Sequence, residues 1–226
     1  MIGTWYGQSA YRLEAREGSV VIDPFGDMSG ARTRGLAFTY PPIPEMGADL
    51  LLITHEHFDH NNAGSVREPK AVVRSTAGTF ETPVGKVLAV ASEHDPEAGT
   101  RRGPNTIFVF ELEGLRIAHL GDFGQSDLRP EQKVAIGRVD LAFIPAGGGP
   151  TIGGEKAWGI GTSLGARWIV PMHYRTAAVN FLETLEAFEG AAGRIHKTGN
   201  NGLDTHSLPP GGPVGVVLET PMGVSK

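Results

Sequence analysis

The chain has 226 residues, a net charge of −5 and no cysteine, which excludes disulfides and thiolate ligands and fits a reducing, cytoplasmic setting. That length suits one well-buried domain, expected over residues 1–226, and the mixing of acidic with basic residues leaves no basic stripe for nucleic acid. No apolar run approaches the ~20 residues that span a bilayer, so neither a membrane nor a nucleic acid is an expected partner.

The 32 glycines and 16 prolines are interspersed with apolar runs, as in a loop-rich globular chain. Met1-Ile2-Gly3-Thr4-Trp5-Tyr6-Gly7 lacks the basic region and apolar core of a signal peptide. Residues 11–15 alternate, Glu17-Gly18 supplies a turn and residues 19–23 are rich in β-branched side chains, so a hairpin is expected. Asp23-Pro24 ends it, and a Gly/Pro-rich loop runs to about Gly47. A loop that long more often borders a functional site than merely connects. Asp23 is equally suited to capping a turn and to supporting a ligand from behind.

Residues 49–53 form an apolar run typical of a fully buried strand, and Thr54-His55-Glu56-His57-Phe58-Asp59-His60 follows directly. Imidazole nitrogens and an aspartate oxygen are the donors that Zn²⁺ and its neighbours accept. His55 and His57 are two positions apart and can point the same way in an extended segment, whereas Asp59 and His60 follow a bend. All four would crowd one metal, but two metals could each take a pair.

Further strands are expected over 71–73 and 84–91, the second running into Ser92-Glu93-His94-Asp95. His94 is a ligand candidate because it follows a strand, with Asp95 as the rival. The loop 96–104 carries Arg101 and Arg102. Residues 105–112 and 115–120 read as a hairpin ending in Gly121-Asp122, with His119 more suited to packing than to ligation. A buried strand over 139–145 opens into Gly147-Gly148-Gly149-Pro150, a loop without the phosphate-binding pattern. Thr151 is placed to cap a helix through Glu155, Lys156, Ala157 and Trp158. A strand over 167–170 leads to Pro171-Met172-His173-Tyr174. The spacing of Phe181, Leu182, Leu185 and Phe188 predicts a helix with a core-facing stripe, and strands over 194–197 and 214–218 finish the chain. His196 and His206 read as structural or exposed.

The Thr-His-x-His-x-Asp-His run after a buried strand resembles the signature of the metallo-β-lactamase-fold hydrolases. Ile22-Asp23-Pro24 upstream and His94, Asp122 and His173 downstream stand in that family's order. The resemblance covers most of the chain and implies an α/β (α+β) fold, an αββα sandwich of two mixed β-sheets flanked by helices. It implies that one metal takes His55, His57 and His94, and another takes Asp59, His60 and His173. Asp122 would bridge the two metals together with a water. The expected cofactors are thus two divalent ions, with zinc the first choice and manganese or iron as alternatives.

A metal-bridging hydroxide would then cleave an ester, lactone or phosphodiester bond of a small, anionic substrate. Asp59 is the expected catalytic carboxylate, orienting the hydroxide or protonating the leaving group. Arg102, Arg101 and Tyr174 are the expected substrate contacts. The stretches Arg102-Gly103-Pro104-Asn105-Thr106, His119-Leu120-Gly121-Asp122 and Pro171-Met172-His173-Tyr174 look closest to small cytoplasmic hydrolases related to the ascorbate-phosphate lactonases. His57 stands where iron oxidoreductases of the fold carry glutamate, which disfavours that branch. The alternatives are a non-catalytic metal-binding protein and a nuclease of the same fold, and a homo-oligomer is compatible with either.

Overall fold

The structure is a computed structural model that describes residues 1–33 and 35–222. Alternating and β-branched runs form the first strands: β1 (Ile2–Gly7), β2 (Ala10–Ala15) and β3 (Gly18–Ile22). A single helical turn, α1 (Ser29–Arg32), lies in the long loop before β4 (Met46–Gly47) and β5 (Leu50–Ile53). Then come β6 (Val66–Arg67), β7 (Ala71–Arg74), β8 (Gly78–Thr82), β9 (Gly85–Glu93), β10 (Pro104–Leu112) and β11 (Leu115–His119). The second half carries α2 (Pro130–Ile136), β12 (Leu141–Pro145), α3 (Gly154–Ser163), β13 (Trp168–Met172), α4 (Glu186–Ala191), β14 (Ile195–Lys197), β15 (Gly202–Asp204) and β16 (Val214–Val217).

Two mixed sheets result, ordered β15-β1-β2-β3-β5-β7 and β14-β16-β13-β12-β11-β10-β9-β8. All four residues of β5 are buried because the strand is covered on both faces, which explains its unbroken apolar run. Leu50 and Leu52 enter the core between the sheets with Phe108, Phe143, Trp168 and Val170. Leu51 and Ile53 face outwards onto Val21, Met46 and Val66. Beyond the second sheet, Ile136, Ala157, Ile160 and Phe188 bring α2, α3 and α4 onto Ala142, Ile144 and Ile169. Helices therefore cover that side. Over the first sheet Ile43, Met46 of β4, Ala48 and Val66 of β6 pack on the outward face, in a stretch whose Pro41, Pro42 and Pro44 lack the amide donors a helix needs.

Two expected helices differ. Gly153 is the N-cap of α3 and makes no side-chain cap; the Thr151 hydroxyl donates instead to the Gly148 carbonyl at 3.3 Å. A Cβ at Gly154 would come within 2.4 Å of the Phe188 backbone nitrogen, so glycine there permits the close α3–α4 approach. The helix expected through residues 181–188 is confined to Glu186–Ala191. Upstream, the backbone is committed elsewhere: Glu183 N–H donates to Gly147, and Arg175 Nε and N donate to the Leu182 and Glu183 carbonyls. The sequence reading also passed over β8, which pairs antiparallel with β9, and β15, which pairs with β1.

Direction along the second sheet prepares the site. β9 is antiparallel to β10, β10 to β11, and β11, β12 and β13 are parallel, so β9, β11, β12 and β13 all end at one edge.

Candidate metal centre

The donors sit just beyond strand ends. His55, His57, Asp59 and His60 follow β5, His94 follows β9, Asp122 lies three residues past β11, and His173 follows β13. Asp122 Oδ2 is the common neighbour, at 3.1 Å from His94 Nε2, 3.3 Å from both His60 Nε2 and His173 Nε2, and 3.9 Å from His55 Nε2. Asp59 Oδ2 lies 3.6 Å from His60 Nε2 and 3.7 Å from His173 Nε2, while His55 Nε2 and His57 Nδ1 are 3.1 Å apart. Three groups offer one donor atom each within 4.8 Å: His55/His57/His94, His55/His60/Asp122 and Asp59/His60/His173. Ligand bonds of ~2.0–2.2 Å at tetrahedral angles put donors roughly 3.3–3.6 Å apart, so these spacings suit divalent ions.

The proton positions fit as well. A carbonyl only accepts, so His94 Nδ1 donates to Pro150 O at 2.9 Å, and Nε2 is the ring nitrogen turned towards Asp122. In the same way His60 Nδ1 donates to Asp23 Oδ2 at 3.0 Å, which leaves Nε2 facing Asp122. That buried nitrogen makes no hydrogen bond despite the 3.3 Å separation. Acceptors converging in this way repel unless a cation lies between them. Burial and the neighbouring His60 and His94 hold the His55 and His57 pKa values below normal, favouring the neutral, ligating ring. Burial opposes charge on Asp122 and Asp59, yet His173 and His60 for the first, and His60 for the second, keep both well below the usual carboxylate range. Burial likewise opposes a charged His60, but Asp122 and Asp59 outweigh it and raise its pKa well above normal, so either a proton or a metal cation must lie between Nε2 and the two carboxylates, and an ion there would displace the proton.

Behind the donors lies a supporting network. Asp23 accepts from Thr54 N at 2.8 Å, Thr54 Oγ1 at 2.7 Å and His60 Nδ1, so of its two sequence-level readings the structure shows the supporting one. Thr54 Oγ1 also meets His55 Nδ1 at 3.0 Å. Asn105 Oδ1 accepts from Asp122 N at 3.0 Å, and its Nδ2 donates to Ser92 Oγ and Leu120 O. Gln8 Nε2 donates to Asp59 Oδ2 at 3.3 Å, and Ser9 Oγ to Asp122 Oδ1 at 3.4 Å. Gln8, Asp23 and His173 all have left-handed backbone (φ 47°, 46° and 50°), strain of the kind that collects at functional sites. Gly121, at φ +56°, has no room for a side chain: a Cβ would lie 2.4 Å from Asn105 Oδ1.

Other sequence candidates lie elsewhere. Asp95 accepts backbone N–H bonds from Glu97, Gly99, Arg101 and Arg102, so it closes its own loop instead of competing with His94. Arg101 is exposed and its guanidinium pairs with Glu97. Arg102 is exposed, with no side-chain partner among the described residues. Tyr174, expected at the substrate, is a core residue stacked on Trp5 with ring centroids 5.7 Å apart. His119 is satisfied on both nitrogens, by Ser9 O and Gly121 N, as a packed histidine should be. His206 is exposed beside Glu113, and His196 lies partly buried on β14. Gln8, Ser9 and Asn105 escaped the sequence reading, since polar residues at a hairpin tip or within a strand carry no distinguishing signal.

The Beta-lactamase superfamily domain model matches residues 4–173. A UPF0173 metal-dependent hydrolase of Thermus thermophilus is 30% identical over 230 residues, covering 92% of this chain and 95% of the relative. A UPF0173 protein of Pyrococcus abyssi is 30% identical over 194 residues, covering 76% of this chain and 82% of the relative. A Thermotoga maritima structure, a candidate Zn-dependent hydrolase of the metallo-β-lactamase superfamily, superposes with a TM-score of 0.74 at 29% identity, covering 97% of this chain and all of that one. The chain therefore belongs to the β-lactamase superfamily, among the metal-dependent hydrolases with the metallo-β-lactamase fold.

Proposed function

We propose that the chain is a dinuclear hydrolase that cleaves an ester, lactone or phosphodiester bond of a small substrate. The observation that carries this is Asp122 Oδ2, within 3.1–3.9 Å of imidazole nitrogens from both outer donor groups. His55, His57 and His94 would hold one ion, Asp59, His60 and His173 the other, and Asp122 would serve both; the nitrogen-rich set favours zinc. Ions held there would supply a hydroxide nucleophile at neutral pH and Lewis acidity for the oxygen under attack.

The chain's own residues do the rest. Asp59, partly open to solvent and steadied by Gln8, would orient the nucleophile and relay its proton to the leaving oxygen. Asp23 and the Pro150 carbonyl fix the tautomers of His60 and His94, so both rings present Nε2 to the centre. An anionic group on the substrate has Arg102 as its candidate contact. The proposed setting is the cytoplasm, and among the described residues no helix is long and apolar enough to cross a membrane.

The test is elemental analysis of protein prepared without chelator, alongside turnover of a chromogenic phosphodiester, a lactone and an ester. Two ions per chain and turnover of at least one substrate are expected, with Asp59→Asn keeping metal but losing most activity. One ion or none after supplementation would sink the dinuclear reading, and an Asp59→Asn variant at the parent rate would remove the carboxylate's role.

A further inference from the structure

The long loop after Asp23 borders a partly open cavity of about 440 Å³, lined by the apolar Phe25, Met28, Phe38, Tyr40 and Ile43 and by the polar Asp27, Ser29 and Asn62. Its aromatic wall is ordered: Phe25 and Phe38 meet edge-on at 5.0 Å, and Phe38 and Tyr40 at 5.4 Å. The loop is pinned to the segment after His173 by Thr39 N–H to Ala178 O at 2.9 Å and by Tyr40 Oη to Thr176 Oγ1 at 3.0 Å. No donor of the metal centre lines the cavity, and neither does a lysine or arginine among its described residues.

Three short links join this cavity to the Asp59/His60/His173 side. Asn62 is two residues past His60. Phe25 is two residues past Asp23, which binds His60 Nδ1. Tyr40 packs on Gly7, where a Cβ would lie 2.5 Å from its ring, next to the Gln8 that donates to Asp59. A concave space of a few hundred Å³ that joins an aromatic wall to a few polar groups is the form that small-molecule sites take.

We propose that this cavity is the substrate's apolar subsite. With the scissile carbonyl at the metal donors, it takes a neutral aryl or branched alkyl group of the ester or lactone. A dry cavity of roughly 150 Å³ already accommodates benzene, so a phenyl group and its linker fit. This inference rests on the hydrolase reading above and narrows its substrate class.

The experiment compares acetate, butyrate, phenylacetate and 3-phenylpropionate esters of one alcohol on the metal-loaded protein. From acetate to the phenyl esters, kcat/KM should rise about ten- to a hundredfold, the effect expected from burying an apolar side group. Ile43→Trp, which fills the cavity, should lower the phenyl-to-acetyl ratio at least tenfold. Toluene binding, read by NMR or a thermal shift, should appear in the parent protein and disappear in Ile43→Trp. A flat ester series in the parent protein overturns the subsite whatever toluene does, and needs no folded variant. If no ester is hydrolysed, the ester reading has failed on its own; the cavity then stands as an apolar binding site if toluene binds and falls if it does not.

Discussion

The two outer donor groups are built differently. Asp59, His60 and His173 are backed from inside the protein: Asp23 holds His60, Gln8 holds Asp59, and the Gln8 carbonyl accepts the His173 backbone N–H at 3.3 Å. His55, His57 and His94 are backed by a hydroxyl and a backbone carbonyl, and His57 is the least buried of the three. Their loop is tied down from the surface, where Glu56 accepts from Arg74 Nε at 2.8 Å, Arg74 Nη2 at 2.6 Å and Ser75 Oγ at 2.7 Å. One group thus depends on a buried carboxylate and the other on a solvent-facing ion pair. The first should be the more rigid and the costlier to disturb.

The harshest way to break this comparison is to remove what both groups share. Asp122→Ala should bind one ion or fewer per chain and lose at least about a thousandfold in turnover while far-UV circular dichroism is unchanged. Metal content and activity at the parent level would show that the two groups work without a common carboxylate.

Next in size is the buried support of a single group. Asp23→Ala strands Thr54 N, Thr54 Oγ1 and His60 Nδ1, and should cost roughly 3–5 kcal/mol, or about 10 °C in Tm. Metal affinity at Asp59/His60/His173 should fall about ten- to a hundredfold, with His55/His57/His94 less affected. Equal losses at both groups, measured by competition with a chelator, would erase the asymmetry. Gln8→Leu, a milder change on the same side, should lower kcat by about tenfold and leave two ions bound; lost metal with unchanged kcat in the reloaded protein would contradict a positioning role.

The surface support should show as a pH effect. The Arg74 pair holds the Glu56 carboxyl at about 2 instead of its ordinary 4.5. A pKa depressed on folding stabilises in full above the unfolded value and is lost as pH falls towards the folded one. The parent protein should therefore exceed Glu56→Gln by about 1–3 °C in Tm at pH 6, and the gap should close between pH 4.5 and 2. A gap that persists at pH 2 would mean that the pair is not its source. Smallest of all, Arg102→Ala should cost an anionic ester about two- to fivefold in kcat/KM at low salt and a neutral one nothing. Equal effects on both esters would return Arg102 to the solvent.

The legible part of the site was what lies close in sequence or ends an apolar run. His55, His57, Asp59 and His60 are contiguous with β5, and His94, Asp122 and His173 each follow a strand whose burial shows in its composition. The illegible part was support: Gln8 and Ser9 at a hairpin tip, and Asn105 inside β10, are ordinary polar residues until two sheets bring them against Asp59 and Asp122. Tyr174, next in sequence to His173, packs into the core on Trp5, and nothing in the sequence marks that partner.

By itself the sequence determined the buried strands, the donor types and their order, because hydrophobic periodicity and metal-ligand chemistry are local properties of a few adjacent residues. Only the tertiary structure decided that Asp23 supports His60 and that Asp95 turns back on its own loop. It also decided that residues 181–185 give up a helix to bond Gly147 and Arg175. Asp23 with His60 and Glu183 with Gly147 depend on a partner from far along the chain, and Asp95 on amides that its own loop folds back to it; a linear pattern carries no record of which partner wins.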